Sequence, residues 1–151
     1  MGIVNVELQF DVNDTVLMAM FNEMLSNEQF MLAVHNTLAK MCDPYVPMDE
    51  GALSQTLEIS PEYVRYIQPY AHYMYTGVVY GPNIPIMEDG VIVGWFSPPG
   101  KPKHPTGKMI NYSLERHPLA TKEWDKAMLR DKRDEFYNEI KRLLKHFSEE
   151  G

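Results

Sequence analysis

The chain has 151 residues, 44% hydrophobic and 23% charged, with a formal net charge of −7, the make-up expected of one ordinary globular domain. A chain of this length buries about two thirds of the surface it exposes when unfolded, so no metal or disulfide is needed to hold it. No apolar run approaches the roughly 20 residues of a membrane span; residues 1–10 lack the basic start and apolar run of a secretory signal; and the single cysteine, Cys42, fits a reducing cytoplasm and excludes a disulfide framework or a cysteine-rich zinc site.

Val4, Val6, Leu8 and Phe10 alternate with polar residues, the two-residue period of a strand with one buried face, so residues 3–10 are predicted to form a strand. Asn13 or Asp14 then caps a helix whose apolar positions, Leu17, Met20, Phe21, Met24, Leu25 and on to Leu38 and Met41, recur at threes and fours. Ser26 and Gln29 have capping-box spacing, so this helix is expected to kink or restart there. Asp43-Pro44 ends it, because the residue before a proline is pushed out of the helical region. Residues 54–60 and 63–68 read as two short strands turning at Pro61-Glu62. After Pro69, residues 70–75 are predicted to form a short helix with Tyr70, Tyr73 and Met74 on one side and Gly77 as its C-terminal cap.

Asp89-Gly90, the strongest short hairpin signal, joins residues 84–88 to residues 91–96. The outgoing strand, Val91-Ile92-Val93-Gly94-Trp95-Phe96, is too apolar to be left bare, so this hairpin either folds back on the domain or docks on a neighbouring molecule. Residues 98–108 read as an extended basic loop carrying Lys101, Lys103 and Lys108, with residues 109–114 returning to the sheet. Thr121 caps a final helix to about His146, amphipathic through Phe136, Ile140, Leu143, Leu144 and Phe147 and anchored by Trp124, Ala127 and Met128. Its charged run, Arg130 to Glu135, is predicted to be a solvated face with internal ion pairs. The pattern is α+β: a small, mostly antiparallel sheet packed against a long N-terminal helix and a C-terminal helix. A β-hairpin and loop project from it over about residues 81–108, within a single domain of residues 1–151.

Charge is unevenly placed. Residues 1–64 hold ten acidic residues against the single Lys40, a net of −9, which disfavours sequence-independent binding of nucleic acid and equally suits a solvated acidic surface. Catalytic patterns are poorly supplied. The glycine-lysine pairs at residues 100–101 and 107–108 have six residues between their glycines where a phosphate loop needs four, and Met109 follows where Ser or Thr is required. His35, His72, His104, His117 and His146 form no metal-ligand spacing, and Cys42 lies in no context that activates a thiol. Asp49, Glu50, His72 and His104 are the group that tertiary structure could still assemble. The expectation is a protein without enzymatic activity, metal or cofactor. Six of the nine tyrosines lie between Tyr63 and Tyr80, a density that suits either a small core or a surface where chain meets chain.

Three stretches together resemble a family. Pro44-Tyr45-Val46-Pro47-Met48-Asp49-Glu50-Gly51-Ala52-Leu53, Tyr70-Ala71-His72-Tyr73-Met74-Tyr75-Thr76-Gly77 and His117-Pro118-Leu119-Ala120-Thr121-Lys122-Glu123-Trp124 are similar, in order and approximate spacing, to motifs of the small minor capsid proteins of tailed bacteriophages. The hairpin of residues 84–96 and the proline-lysine loop look longer than that family's minimal pattern. The resemblance implies a virion structural protein of the head-to-tail interface, a neck or tail-completion component assembled in the bacterial host cytoplasm. It implies a homo-oligomeric ring, possible as a monomer in isolation, that docks on neighbouring neck, portal-adaptor or tail proteins. On this reading Ile92, Trp95, Phe96, Lys101, Lys103, Lys108, Tyr73 and Tyr75 are the expected contact residues. The other readings open at this point are a monomeric protein-binding adaptor and a small hydrolase built from the scattered histidines and carboxylates.

Overall fold

The computed structural model of the protein describes residues 3–47, 57–67, 71–81, 84–96, 104–110, 112, 114 and 117–150. The fold is α+β. Strand β1 (Val4–Val6) buries Val4 and Val6 and exposes Asn5, as the alternation predicts, although the paired segment is shorter than residues 3–10. Helix α1 (Thr15–Met24) opens at Asp14, whose carboxylate accepts the Leu17 N–H at 3.0 Å. The predicted restart is real, but its cap is Asn27 rather than Ser26: the Asn27 side-chain oxygen accepts the Phe30 N–H at 3.0 Å and starts α2 (Glu28–Cys42). The long N-terminal helix is therefore two helices. A 3₁₀ turn (Asp43–Tyr45) follows.

Strands β2 (Leu57–Ile59) and β3 (Val64–Tyr66) form the predicted hairpin around Pro61-Glu62, where the Ser60 hydroxyl accepts the N–H groups of Glu62 and Tyr63. β3 is the centre of an antiparallel sheet of order β1-β3-β2. Helix α3 (Ala71–Thr76) ends at Gly77, which has φ +75° and donates its N–H to the Tyr73 carbonyl at 2.9 Å.

Beyond it lie two further two-stranded antiparallel sheets: β4 (Val78–Gly81) with β7 (His104–Met109), and β5 (Ile84–Glu88) with β6 (Val91–Phe96). The turn between β5 and β6 has φ +51° at Asp89 and +82° at Gly90, the pair of positive values that a two-residue hairpin requires. The end of the predicted basic loop is in fact β7. Each strand of a two-stranded ribbon is an edge, so Pro105 opposite Tyr80 and Pro85 opposite Trp95 leave no central ladder bond unmade. The expected return of residues 109–114 is thus made earlier, by residues 104–109.

Helix α4 (Trp124–Glu150) starts three residues after its expected cap and runs beyond His146. It breaks its helical geometry once, at Lys132 (φ −133°, ψ 26°), inside the charged run. That run is solvated as predicted, with Arg130, Asp131, Arg133, Asp134 and Glu135 all exposed.

The core lies between α2, α4 and the β1-β3-β2 sheet. Phe30, Val34, Leu38 and Cys42 recur at one-turn intervals along α2 and are fully buried, facing Met128, Phe136, Ile140 and Leu144 of α4. Phe10, Phe21, Phe30 and Phe147 form a chain of rings with successive centroids 4.8, 6.1 and 5.8 Å apart, which fixes α1 and the end of α4 to α2. Cys42 is fully buried, and its thiol is pushed up by burial first and then by Asp125 and Asp43, the environment of a packing residue and a poor nucleophile.

Among the described residues His35 is the one buried histidine, 4% exposed, with Nδ1 buried and unpaired. Burial lowers its pKa below the usual 6.5, against smaller opposing contributions from the Met31, Pro61 and Ser60 backbone. The unfolded chain therefore binds this proton more readily than the fold does. Stability should be independent of His35 above about pH 6.5 and should fall as pH drops below it, by at most about 1.4 kcal/mol per pH unit for one proton. Urea midpoints between pH 7.5 and 5 should accordingly fall less steeply for His35→Leu than for the wild type. Identical slopes would show that His35 is not the acid-sensitive group.

Candidate interaction site

The three motif stretches, far apart in sequence, meet at the start of α4. The Tyr45 carbonyl accepts the Thr121 N–H at 3.0 Å, three residues before α4 begins. His117 Nδ1 lies 2.7 Å from the Val46 carbonyl; a carbonyl only accepts, so this nitrogen carries the hydrogen. His117 Nε2 stands 3.7 Å from the Asp43 carboxylate. The Ala120 N–H closes the Pro118-Leu119 turn onto the His117 carbonyl at 3.0 Å.

From the middle motif, the Tyr75 carbonyl accepts the Glu123 N–H at 2.8 Å, and the Tyr75 hydroxyl donates to Asp125 Oδ1 at 2.7 Å. Asp125 is 2% exposed and also accepts the backbone N–H groups of Lys126 at 2.9 Å and Glu7 at 3.3 Å, so one carboxyl group ties β1, α3 and α4 together. Trp124 is fully buried with its ring edge-on to Tyr66 at 5.1 Å and Tyr75 at 4.9 Å. Burial first, then the bond to Asp125, raises the Tyr75 phenol far above its ordinary range.

Gly77 completes the joint. Its carbonyl accepts the Ile110 N–H at 2.8 Å, and a Cβ added there would lie 2.9 Å from Lys122 Cβ and 3.1 Å from the Tyr112 hydroxyl, on a backbone already at positive φ. Tyr112 donates its hydroxyl to the Met74 carbonyl at 2.6 Å, and its pKa is pushed up to about 12 by burial. At the far side, the Tyr45 hydroxyl donates to Asp131 at 3.1 Å, next to the break in α4, with the Lys132 ammonium 5.7 Å from the Tyr45 ring centre.

The joint carries the β4–β7 ribbon, which touches α3 through β4, and next to it in the chain the β5–β6 hairpin. β5 and β6 pair with each other, and no other described element is a substantial neighbour of either. Ile92 stands opposite Met87, Trp95 opposite Pro85 and Phe96 opposite Ile84, with a register shift between Ile86 and Met87. Lys108 lies exposed on β7, while Lys101 and Lys103 lie outside the described residues. Tyr73 is half-buried on α3 and Tyr75 is engaged in the joint. The hairpin residues and Tyr75 therefore belong to separate parts of the molecule.

Asp49, Glu50 and Tyr70 lie outside the described residues; His72 is exposed on α3 and His104 begins β7. Among the described residues no three His, Cys, Asp or Glu side chains come together in a way that would hold a metal ion, and no helix is long and apolar enough to cross a membrane. The residues that sequence reasoning overlooked are Asp125, Tyr112 and Asp131. A lone acid inside a helical start carries no periodic signal. Comparison of the chain with protein-family models, with curated proteins and with solved structures gives no match.

Proposed function

We propose that this protein is a structural component of the head-to-tail interface of a tailed bacteriophage, of minor-capsid, neck or tail-completion type, acting by association and not by turnover. The observation that carries this reading is the β5–β6 hairpin, a ribbon rich in apolar residues with no substantial neighbour among the other described elements. A two-stranded ribbon alone in water is marginal, and gains its stability by packing on a third surface. The second support is the joint: of the three stretches that resemble the phage family, the third is hydrogen-bonded to each of the other two, through Tyr45 and Val46 and through Tyr75.

In this role, copies close a ring through heterologous contacts in which one patch of each subunit fits a different patch of the next. The donor patch is the hairpin with the lysines of residues 97–108, and the acceptor lies in the acidic N-terminal half, opposite charge setting the register. The acidic balance suits a wall past which DNA moves without sticking.

Mass photometry tests the reading, with the protein measured alone and then mixed with the portal, neck and tail proteins of the same phage. The expected result is a closed ring, or a discrete complex that appears on mixing. A monomer that binds none of them overturns the assignment.

A further inference from the structure

Independently of the head-to-tail role, we infer that the outer edge of β2 is a docking site for an extended segment of another protein, which adds as a fourth strand and alternates apolar, basic and apolar residues. Ser60 donates its N–H to the Tyr63 carbonyl at 2.9 Å, so these two are a hydrogen-bonded pair of the β2–β3 hairpin. Bonded pairs alternate along an antiparallel ladder, which makes Glu58 with Arg65 the next one and turns the N–H and C=O groups of Leu57 and Ile59 outward. β2 ends the sheet, and no described strand pairs with that side. The opposite edge is closed. Just past β1 the Glu7 N–H goes to the Asp125 carboxylate at 3.3 Å, and α3 packs alongside.

The side chains determine what the added strand carries. The core face of the sheet runs across it in two rows, one of Val4, Tyr66 and Leu57 and one of Val6, Val64 and Ile59. The first two members of each row are buried, whereas Leu57 and Ile59 are only half-buried, so the apolar rows stop at an uncovered edge. Beside them lies a groove of about 400 Å³ between β2 and α2, lined by Leu57, Ile59, Asn36, Ala39, Lys40 and Asp43. Two apolar side chains of an added strand would continue the rows over this groove. On the other face Glu58 is exposed. Arg65, directly opposite it, gives its Nε–H to Asn5 Oδ1 at 3.0 Å and lays its guanidinium 3.9 Å from the Tyr63 ring centre, and no ion pair with Glu58 forms among the described residues. A base opposite Glu58 is favourable and an acid is not. The same charge disfavours a second copy of β2, which in full antiparallel overlap would set Glu58 against Glu58.

The probe is the capped peptide acetyl-Thr-Val-Lys-Val-Thr-amide, added to the isotope-labelled full chain and followed by amide NMR. The Leu57 and Ile59 amide signals should move, and their hydrogen exchange should slow. A peptide with glutamate in place of lysine should bind about five-fold or more weakly, and Glu58→Lys, at an exposed position, should reverse that order. N-methylation of both peptide valines, which removes the donors that would face β2, should abolish binding. No movement of Leu57 and Ile59 at any soluble peptide concentration overturns the docking edge. Undiminished binding of the N-methylated peptide overturns strand addition, and equal binding of the lysine and glutamate peptides overturns the selection of a base. Concentration-dependent movement of the same two signals without peptide makes a second copy the occupant and overturns the proposal.

Discussion

Trp124→Ala is expected to lower the free energy of unfolding by about 3–5 kcal/mol, out of the roughly 5–15 kcal/mol that holds a domain together. The side chain is fully buried and meets two rings edge-on, so its removal leaves a cavity and also forfeits two aromatic contacts. The damage spreads because Trp124 sits between the two residues that fasten α3, Glu123 through the Tyr75 carbonyl and Asp125 through the Tyr75 hydroxyl, and Asp125 also holds the end of β1 through the Glu7 N–H. Tyr75→Phe separates the two effects. It keeps the ring against Trp124 and removes one donor from Asp125, which still has two backbone N–H partners, so its cost should be smaller, about 1–3 kcal/mol. Urea unfolding followed by far-ultraviolet circular dichroism measures both. A loss below about 1 kcal/mol for Trp124→Ala would show that the joint is not what holds these elements together, since surface substitutions already reach half that size.

Much of the fold was legible because its signals are local. Asp14 and its bond to Leu17, Gly77 at positive φ and the Asp89-Gly90 turn each depend on residues within a few positions, and each forms as expected. The amphipathic stripes of α2 and α4 were readable for the same reason. The misreadings are of two kinds, helix starts misplaced by a few residues and a strand made by a partner distant in sequence. Thr121 has the composition of a helix cap, but α4 begins three residues later, at Trp124. Residues 104–108 read as a loop because of Pro105 and Gly107, and with Met109 become a strand only because β4 offers them an edge. Asn27 displaced Ser26 as cap by one residue, a distinction that composition does not make. Of the candidate site, the hairpin was visible in sequence through its turn and its apolar strand. The joint was visible only as three motif stretches; that they share Asp125, Tyr75 and Trp124 is tertiary information.

Trp95→Ala with Phe96→Ala is expected to do the reverse of Trp124→Ala: leave stability within about 0.5 kcal/mol of the wild type and abolish assembly and infectious particle yield. The two tryptophans of this chain then report on separate properties. Trp124 is enclosed by the body, whereas among the described elements β6 has β5 as its one substantial neighbour, so truncation there removes little that holds the body together. In an assembled ring the same two aromatic residues would be central to the contact, where single truncations commonly cost 2 kcal/mol or more. Two such losses amount to about a thousand-fold in affinity, which a ring built from repeated copies of one contact cannot absorb. The decisive comparison is between unfolding and particle yield for the same variant. A drop of several kcal/mol in stability would mean that the hairpin folds back on its own domain. Unchanged stability with unchanged particle yield would mean that it docks on nothing that matters for assembly. Only preserved stability with lost assembly fits a hairpin that is exposed in the monomer and covered in the virion.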